Sequence, residues 1–155
     1  MRKKILRWGL VAIGIAFIAV QVIRPERTNP AFDRSSDISA LPGADSVLGS
    51  LIRRACYDCH SFETRWPWYS EFAPGSWLVA NDVQTGRRHV NFSIWGKYPA
   101  TRRAQSLEDI QDQVSAADMP LPKYLMLHPD ARLTQADRDY IVAWAKKQRD
   151  SLNVE

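Results

Sequence analysis

The segment Cys56-Tyr57-Asp58-Cys59-His60 constrains this chain more than any other feature, because it has the spacing C-x-x-C-H. This spacing puts two thiols on one helical turn, with an imidazole directly after the second thiol. Two such thiols can each form a thioether to a haem vinyl group, and the histidine can then bind the iron. No other cysteine occurs among the 155 residues. The motif therefore predicts one covalently attached haem c, with its iron bound by His60.

Three other interpretations of the cysteine pair stay open from the residues alone. A thioredoxin-type redox pair prefers a βαβ context, which the sequence does not show. A zinc site needs four ligands, and His89 and His128 do not supply the usual second pair. A plain disulfide between Cys56 and Cys59 is the third alternative. The adjacent His60, and the N-terminal targeting segment described next, favour haem.

The N-terminal segment predicts a membrane anchor. Four basic side chains within the first seven residues precede an apolar run over residues 8–23, which only Gln21 interrupts. A spanning helix needs about 20 residues, so this run is short, and a cleavable secretory signal is the alternative. Poorly placed small residues favour an uncleaved anchor over residues 1–24. Basic residues before a span stay in the cytoplasm, which predicts a single-pass inner-membrane protein with a periplasmic haem domain.

The net charge of +4 at pH 7 comes from this N-terminal segment. Residues 1–24 carry five of the 21 Lys and Arg side chains and no acid, so residues 25–155 hold 16 basic and 17 acidic side chains, a net charge of −1. This balance gives no support for nucleic-acid binding. Residues 25–40 are polar and marked by prolines, as in a linker, and residues 41–155 have the length of one domain.

Apolar spacing predicts helices on both sides of the motif. A helical stripe leads directly into Cys56 and consists of Val47, Leu48, Leu51, Ile52 and Ala55. Asp45 or Ser46 is the expected cap at its start. Near the other end of the chain, Thr134 and Asp137 resemble a capping box that opens a closing amphipathic helix.

Two further helices are expected between these. Ser106 and Asp109 suggest the start of a short helix that runs through Val114. Another is expected over about residues 74–84, with Gly86 as its stop. No segment shows the sustained alternation of a strand, so the fold class predicted from the sequence is all-α.

A helix entering C-x-x-C-H and an amphipathic helix closing the chain form a layout that resembles class I cytochromes c. More closely, residues 45–149 resemble the bacterial haem-binding-domain family of small c-type cytochromes. The segments that carry the resemblance are Cys56-Tyr57-Asp58-Cys59-His60-Ser61, Thr64-Arg65-Trp66-Pro67-Trp68-Tyr69, Ala73-Pro74-Gly75-Ser76-Trp77, Gly86-Arg87-Arg88, Asn91-Phe92-Ser93-Ile94-Trp95, Asp118-Met119-Pro120 and His128-Pro129-Asp130-Ala131-Arg132-Leu133. The resemblance implies a cytochrome c-like helical domain around one covalent haem, and no particular substrate.

Met119 is the distal iron ligand that this resemblance implies. A methionine before a proline, in a loop ahead of the last helix, is the usual distal position in class I cytochromes c, and Met119 precedes Pro120. A thioether ligand raises the reduction potential. His89 and His128, which would give bis-histidine ligation, and Met126 are the alternatives. We expect Met126 in the core, His128 in a structural position at a turn, and His89 exposed in a basic loop.

Aromatic and arginine residues supply the expected surroundings of the haem. One group of aromatic side chains is expected to form core that also packs against the haem, with ordinary core as the alternative: Trp66, Trp68, Tyr69, Trp77, Phe92 and Trp95. Arginine suits carboxylates. The candidates to pair with the haem propionates, with plain surface solvation as the alternative, are Arg87, Arg88, Arg102 and Arg103.

Together these features predict a membrane-anchored periplasmic monohaem cytochrome that transfers electrons, rather than an enzyme. Its expected partners are redox proteins of the membrane or periplasm. One rival function is a haem peroxidase with an open distal site, in which His89 or His128 would act as acid or base. A haem-based sensor is the other rival. Rapid carbon monoxide binding to the reduced native protein would favour either rival.

Overall fold

The computed structural model describes residues 2–40 and 43–152, and within these ranges the chain forms helices and turns without any strand. The α-helices are α1 (Arg2–Val20), α2 (Ser46–Ala55), α3 (Tyr57–His60), α4 (Gly75–His89), α5 (Ala100–Ser115), α6 (Pro122–Leu125) and α7 (Gln135–Asp150). Short 3-10 turns lie at Arg34–Ser36, Ile38–Ala40, Trp68–Glu71, Phe92–Lys97 and Pro129–Ala131. The predicted all-α fold class is confirmed.

The hydrophobic core lies where α2, α5 and α7 meet. The buried side chains that these three helices contribute are Leu48, Leu51, Ile52, Ala55, Leu107, Val114, Ile141 and Ala145. The stripe predicted for α2 is thus confirmed except at Val47, which is 53% exposed. Burial of such aliphatic side chains is the main force that holds the three helices together.

Side-chain caps fix where α2 and α7 begin. Asp45 Oδ1 accepts a hydrogen bond of 2.9 Å from the backbone N–H of Leu48. At α7, the Asp137 N–H donates to Thr134 Oγ1 at 3.1 Å, and the Thr134 N–H donates to Asp137 Oδ2 at 2.9 Å. Each such cap contributes about 1 kcal/mol. The cap at Asp45 and the predicted capping box are both confirmed.

The start predicted for the helix at Ser106 is wrong, because α5 already begins at Ala100. Pro99 precedes the first turn with an extended backbone, and no side chain caps the helix there. Proline is well tolerated at this boundary, where the first N–H groups of a helix lack partners in any case. Ser106 instead lies in the helix interior and is 1% exposed.

α1 is a helix, but its uncharged apolar part is too short to span a membrane. After the four basic residues at its N-terminal end, the uncharged part of α1 covers residues 8–20, which is 13 residues. At about 1.5 Å per residue this covers about 20 Å, against about 30 Å of bilayer hydrocarbon. Across the part of the chain that the structure describes, no helix has the length and apolarity to cross a membrane. This contradicts the predicted transmembrane helix and the predicted single-pass inner-membrane location.

The chain that follows α1 contacts the loop between α3 and α4. The Ala73 N–H donates to Gln21 Oε1 at 2.8 Å. Arg27 forms a two-point ion pair with Glu71, with N–O distances of 2.8 and 2.9 Å. The predicted domain division stays a prediction. Its boundaries that lie outside the described residues are 1, 41 and 155.

Candidate functional site

The C-x-x-C-H segment forms a single helical turn directly after α2. Cys56 interrupts the helical path with φ −126° and ψ −33°, and α3 then runs from Tyr57 to His60. The Cys56 carbonyl accepts hydrogen bonds from the Cys59 N–H at 3.2 Å and from the His60 N–H at 2.9 Å. These bonds close the turn, so both thiols and the imidazole belong to one short rigid unit.

This turn forms one wall of a cavity of about 500 Å³. Cofactor and ligand sites enclose roughly 300–1,000 Å³, so the cavity has the size of such a site. Cys56, Cys59, His60 and Met119 all line it. Apolar side chains supply much of the remaining lining, among them Ile110, Val114, Leu121, Ile141 and Trp144. The residues predicted to hold a haem are therefore brought together around one cavity, and their roles there stay predictions.

A hydrogen bond to the backbone fixes the ring of His60. Its Nδ1 lies 3.1 Å from the carbonyl oxygen of Val90. Because a carbonyl only accepts, Nδ1 carries the proton in this bond, and Nε2 keeps its lone pair. Burial lowers the pKa of the imidazole, which favours the neutral form that binds metals. A backbone carbonyl partner of this kind fixes the ring and raises its basicity as a ligand.

The surroundings of the two thiols oppose their ionisation. No disulfide joins Cys56 to Cys59. Burial raises the pKa of Cys56 to about 12 and that of Cys59 to about 12, and the Asp82 carboxylate adds to the shift at Cys59. Reactive cysteine pairs of the thioredoxin type have lowered pKa values, so these surroundings do not favour a thiol-redox role. Within the two described ranges, no three His, Cys, Asp or Glu side chains cluster as metal ligands would.

Gly86 lets α4 pack directly on the motif turn. It is buried inside α4, and a Cβ atom at this position would lie 2.6 Å from the Cys59 carbonyl oxygen. Only glycine permits that approach between two backbones. The prediction that Gly86 stops the helix is therefore wrong, since α4 continues to His89. Glycine serves here for close packing and not as a helix terminator.

Asp58, between the two cysteines, connects the motif turn to α6. Its Oδ1 accepts from the Arg65 N–H at 3.0 Å, and its Oδ2 accepts from Arg65 Nη2 at 3.1 Å. Oδ2 also accepts the Tyr124 hydroxyl at 2.8 Å. Burial and this bond raise the pKa of the Tyr124 phenol, so it acts as a neutral donor. Sequence reasoning missed Asp58 and Tyr124, because the spacer positions of C-x-x-C follow no pattern.

Met119 reaches the cavity from a turn that ends α5. Ala117 adopts a left-handed conformation with φ 61°. The Ala117 N–H donates to the Val114 carbonyl at 3.2 Å, and the Asp118 N–H donates to the Gln113 carbonyl at 3.0 Å, which together form a Schellman motif. This turn reverses the chain direction and leaves Met119 half-buried at the cavity wall.

The three alternative distal ligands lie in different surroundings. His89 lines the cavity, and it is the exposed last residue of α4 instead of a loop residue. His128 stacks on Tyr124 with ring centroids 4.1 Å apart. Met126 is 81% exposed, so the expectation that it belongs to the core is wrong. It follows α6 directly, where the helix ends at the surface.

Most of the aromatic side chains expected to wall the haem lie elsewhere. Phe92 is the one member of that set that lines the cavity. Trp68 is 76% exposed. Tyr124 and Trp144, which lie outside the predicted set, supply the remaining aromatic surface. Trp95 belongs with Phe92 to the hydrophobic core, as one of the alternatives had it. Closeness to the motif along the chain did not bring the other four aromatic side chains to the cavity.

Arg87, one of the arginines considered for the propionates, instead clamps the N-terminal segment. Its Nε donates to the Ser61 carbonyl at 2.8 Å, and its Nη1 donates to the Thr28 carbonyl at 2.9 Å. Its Nη2 donates to Asn29 Oδ1 at 2.9 Å. These bonds use the donors of the guanidinium in holding segments of this chain together.

Residues 15–147 match the model of the haem-binding domain. The chain belongs to the haem-binding-domain family. This match confirms the resemblance seen in the sequence and supports a haem protein.

A curated relative of the chain is "Cytochrome c peroxidase Ccp" of Escherichia coli (strain K12). The two are 24% identical over 156 residues, which cover 96% of this chain and 33% of that protein. The chain thus spans about a third of the length of this relative. No solved structure matches the chain.

Proposed function

We propose that this haem-binding-domain protein is a monohaem c-type cytochrome that transfers electrons. The observation that carries the proposal is the shared cavity: the turn with both thiols forms one wall, His60 keeps a free Nε2, and Met119 lines the same space. A bound haem supplies one-electron chemistry, with its iron alternating between the ferric and ferrous states. The expected partners are redox proteins that donate and accept that electron.

Each residue of the site has a defined part in this proposal. Cys56 and Cys59 would hold the haem through two thioether bonds, and His60 would bind the iron through Nε2. Met119 would supply a second, neutral sulfur ligand, which favours the ferrous state. Apolar side chains such as Ile110, Val114 and Ile141 would contact the porphyrin.

Covalent attachment is tested by haem staining of a denaturing gel. The full chain and its Cys56→Ala/Cys59→Ala variant are produced together with a c-haem maturation system. The wild-type band should retain haem after denaturation, whereas the variant should lose the stain completely. A helical, monodisperse wild-type protein without bound haem would overturn the proposal.

The role of Met119 is tested by carbon monoxide binding. Met119→Ala should convert the ferric spectrum from low spin to high spin and should make carbon monoxide binding to the reduced protein rapid. Met126→Ala is the matched control, since Met126 is 81% exposed and does not line the cavity. An unchanged ferric spectrum in Met119→Ala would exclude Met119 as the ligand.

A haem peroxidase is the second candidate function, and the match to the Escherichia coli protein named cytochrome c peroxidase favours it. In such an enzyme, peroxide takes two electrons and two protons to give water, and a donor protein supplies the electrons. His89 is the acid–base candidate, because it lines the cavity and is exposed. Peroxide-dependent oxidation of a reduced c-type cytochrome, lost in His89→Gln, would support this candidate over simple electron transfer.

A further inference from the structure

The segment that joins Met119 to α6 is a stiff part of the cavity wall. The residues of this stretch that line the cavity are Met119, Pro120, Leu121 and Tyr124. Pro120 and Pro122 each fix the backbone φ at about −65°, and each favours an extended backbone at the residue before it. Few free rotations therefore separate Met119 from α6, so the place of α6 restricts the place of Met119.

Two neighbouring side chains of α6 bind carboxylates on the side of the cavity that carries the thiols. Lys123 Nζ lies 2.9 Å from Asp82 Oδ1, and the Tyr124 hydroxyl donates to Asp58 Oδ2 at 2.8 Å. The Asp82 side chain is 20% exposed and the Asp58 side chain is 10% exposed, so both acceptors are partly shielded from water. Two bonds from adjacent residues fix the rotation of this short helix as well as its distance from the thiol side.

Both carboxylates belong to the packed unit that also carries the proposed proximal ligand. Asp58 lies in α3 together with His60, and Asp82 lies in α4. α4 packs directly on the backbone of α3 at Gly86. The two bonds of α6 therefore tie the segment after Met119 to the same unit that holds the His60 imidazole.

We propose that Lys123 and Tyr124 are positioning residues for Met119. By docking α6 on the two carboxylates, they hold the Met119 sulfur where it can bind the haem iron. A thioether is a weak acceptor, and the Met119 side chain makes no hydrogen bond among the described residues that would hold it there. Loss of either bond should loosen the segment and open the sixth position of the iron. The inference rests on the proposed function and adds what keeps that position closed.

The test measures carbon monoxide binding to the reduced, haem-loaded full chain and the methionine-to-iron charge-transfer band of the ferric protein. Lys123→Met keeps the aliphatic stem and removes the charge. It should raise the rate of carbon monoxide binding by up to about fivefold, because ion pairs near the surface are weak. Tyr124→Phe removes a bond to a charged acceptor and should raise that rate about tenfold. Both variants should weaken the charge-transfer band.

Two further variants separate the ion pair from the individual side chains. Lys123→Arg keeps the positive charge beside Asp82 and should retain the wild-type rate. Asp82→Asn should raise the rate as Lys123→Met does. The double variant Asp82→Asn/Lys123→Met should bind carbon monoxide no faster than Lys123→Met alone, because the bond is already broken. A double variant whose rate is the product of the two single effects overturns the inference.

Lys147→Met and Tyr140→Phe are the matched controls. Lys147 is an exposed lysine of α7, Tyr140 donates to Asp45, and neither side chain lines the cavity. Both controls should bind carbon monoxide at the wild-type rate. A wild-type rate and an unchanged band in Lys123→Met and Tyr124→Phe overturn the inference even where stability is lost, since the two residues then serve folding alone.

The wild-type protein separates this inference from the proposed function. Covalent haem with rapid carbon monoxide binding and no charge-transfer band overturns the inference and the ligand role of Met119, but leaves the attachment through Cys56 and Cys59 intact. Wild-type protein without covalent haem in the denaturing gel is a different result, since it refutes the proposed function itself.

Discussion

The cavity wall that carries the two thiols and His60 is fixed by more hydrogen bonds and packing contacts than the wall that carries Met119. On the thiol side, His60 is fixed by the Val90 carbonyl, and the turn that carries it packs on the backbone of α4 at Gly86. On the other side, the Met119 N–H donates to the Gln113 carbonyl at 3.2 Å, and Arg138 Nη1 donates to the Met119 carbonyl over 3.5 Å. The comparison teaches that more contacts within the chain fix the His60 side chain than fix Met119, whose side chain has no hydrogen bond among the described residues.

Gly86→Ala is the strongest test of the rigid wall. The added Cβ would meet the Cys59 carbonyl at 2.6 Å, so α4 must move away from the motif turn. We expect a loss of about 1–3 kcal/mol in the free energy of unfolding, as in overpacked cores, and a lower yield of attached haem. Urea unfolding and haem staining measure the two effects.

Gly49→Ala is the control for this change, because Gly49 lies inside α2 and a Cβ added there would meet no described atom within 4 Å. It should stabilise the protein by up to about 1 kcal/mol, the helix-propensity gain of alanine over glycine. If Gly86→Ala behaves like Gly49→Ala, close packing of α4 on the motif is not what orders this wall.

Tyr124→Phe tests the link between the two walls. It removes the hydroxyl that donates to Asp58 at 2.8 Å and leaves a buried carboxylate with fewer partners. A bond to a charged acceptor contributes about 1.5–3 kcal/mol, and the retained Arg65 bonds should keep the loss near the lower value. Thermal unfolding measures it. Tyr140→Phe removes a more exposed bond to Asp45 and should cost clearly less; equal losses would mean that burial at Asp58 is unimportant.

Ala117→Gly sharpens the comparison on the methionine side. The left-handed conformation at φ 61° costs a residue with a Cβ about 1–2 kcal/mol, and glycine avoids most of this. We expect about 1 kcal/mol of added stability and unchanged haem attachment. Ala116→Gly, where φ is −70°, should instead destabilise the protein. A loss of stability in Ala117→Gly would argue against the Schellman turn.

Asp137→Asn should have the smallest effect on the free energy of unfolding. It removes the ion pair between Arg54 of α2 and Asp137 of α7. The backbone N–H of Thr134 and the Arg54 guanidinium hold the pKa of Asp137 below its usual range. Stabilisation by this carboxylate is therefore present above the unfolded pKa of about 3.9 and is lost as pH falls through the lower folded pKa. Wild type and variant should differ by less than about 1 kcal/mol at pH 7, and the difference should shrink as the pH falls below the unfolded pKa toward the folded one. A constant difference across that range would exclude the charge as its cause.

The elements around the motif could be predicted because each has a local cause. The stripe that ends at Ala55 and the Thr134–Asp137 box are patterns within a few residues, and both occur in the structure. The C-x-x-C-H spacing likewise encodes its own turn. The wrong predictions concern residues whose place depends on a distant neighbour. Gly86 looks like a helix stop until Cys59 is packed against it.

Ser106 shows the same limit from the other direction. A serine three residues before an acid is typical of a helix start, yet here it faces a cavity from the interior of α5. Charge near the apolar run of α1 likewise resembles an orientation signal, although it shortens the run below a span. Local patterns cannot distinguish these alternatives, since the deciding distances join residues far apart in the chain.

The hydrogen bond between Asp58 and Tyr124 has a consequence for how C-x-x-C spacers tolerate change. The C-x-x-C pattern itself specifies no residue type at these two positions. Here the second of them reaches across 66 residues of sequence to the segment just after Met119. Grafting the five-residue motif into another helical scaffold would carry Asp58 without Tyr124 and Arg65. Its buried carboxylate would then lack the donors that it has here. In this chain the motif depends on Arg65 and Tyr124, and the three would have to be transferred together.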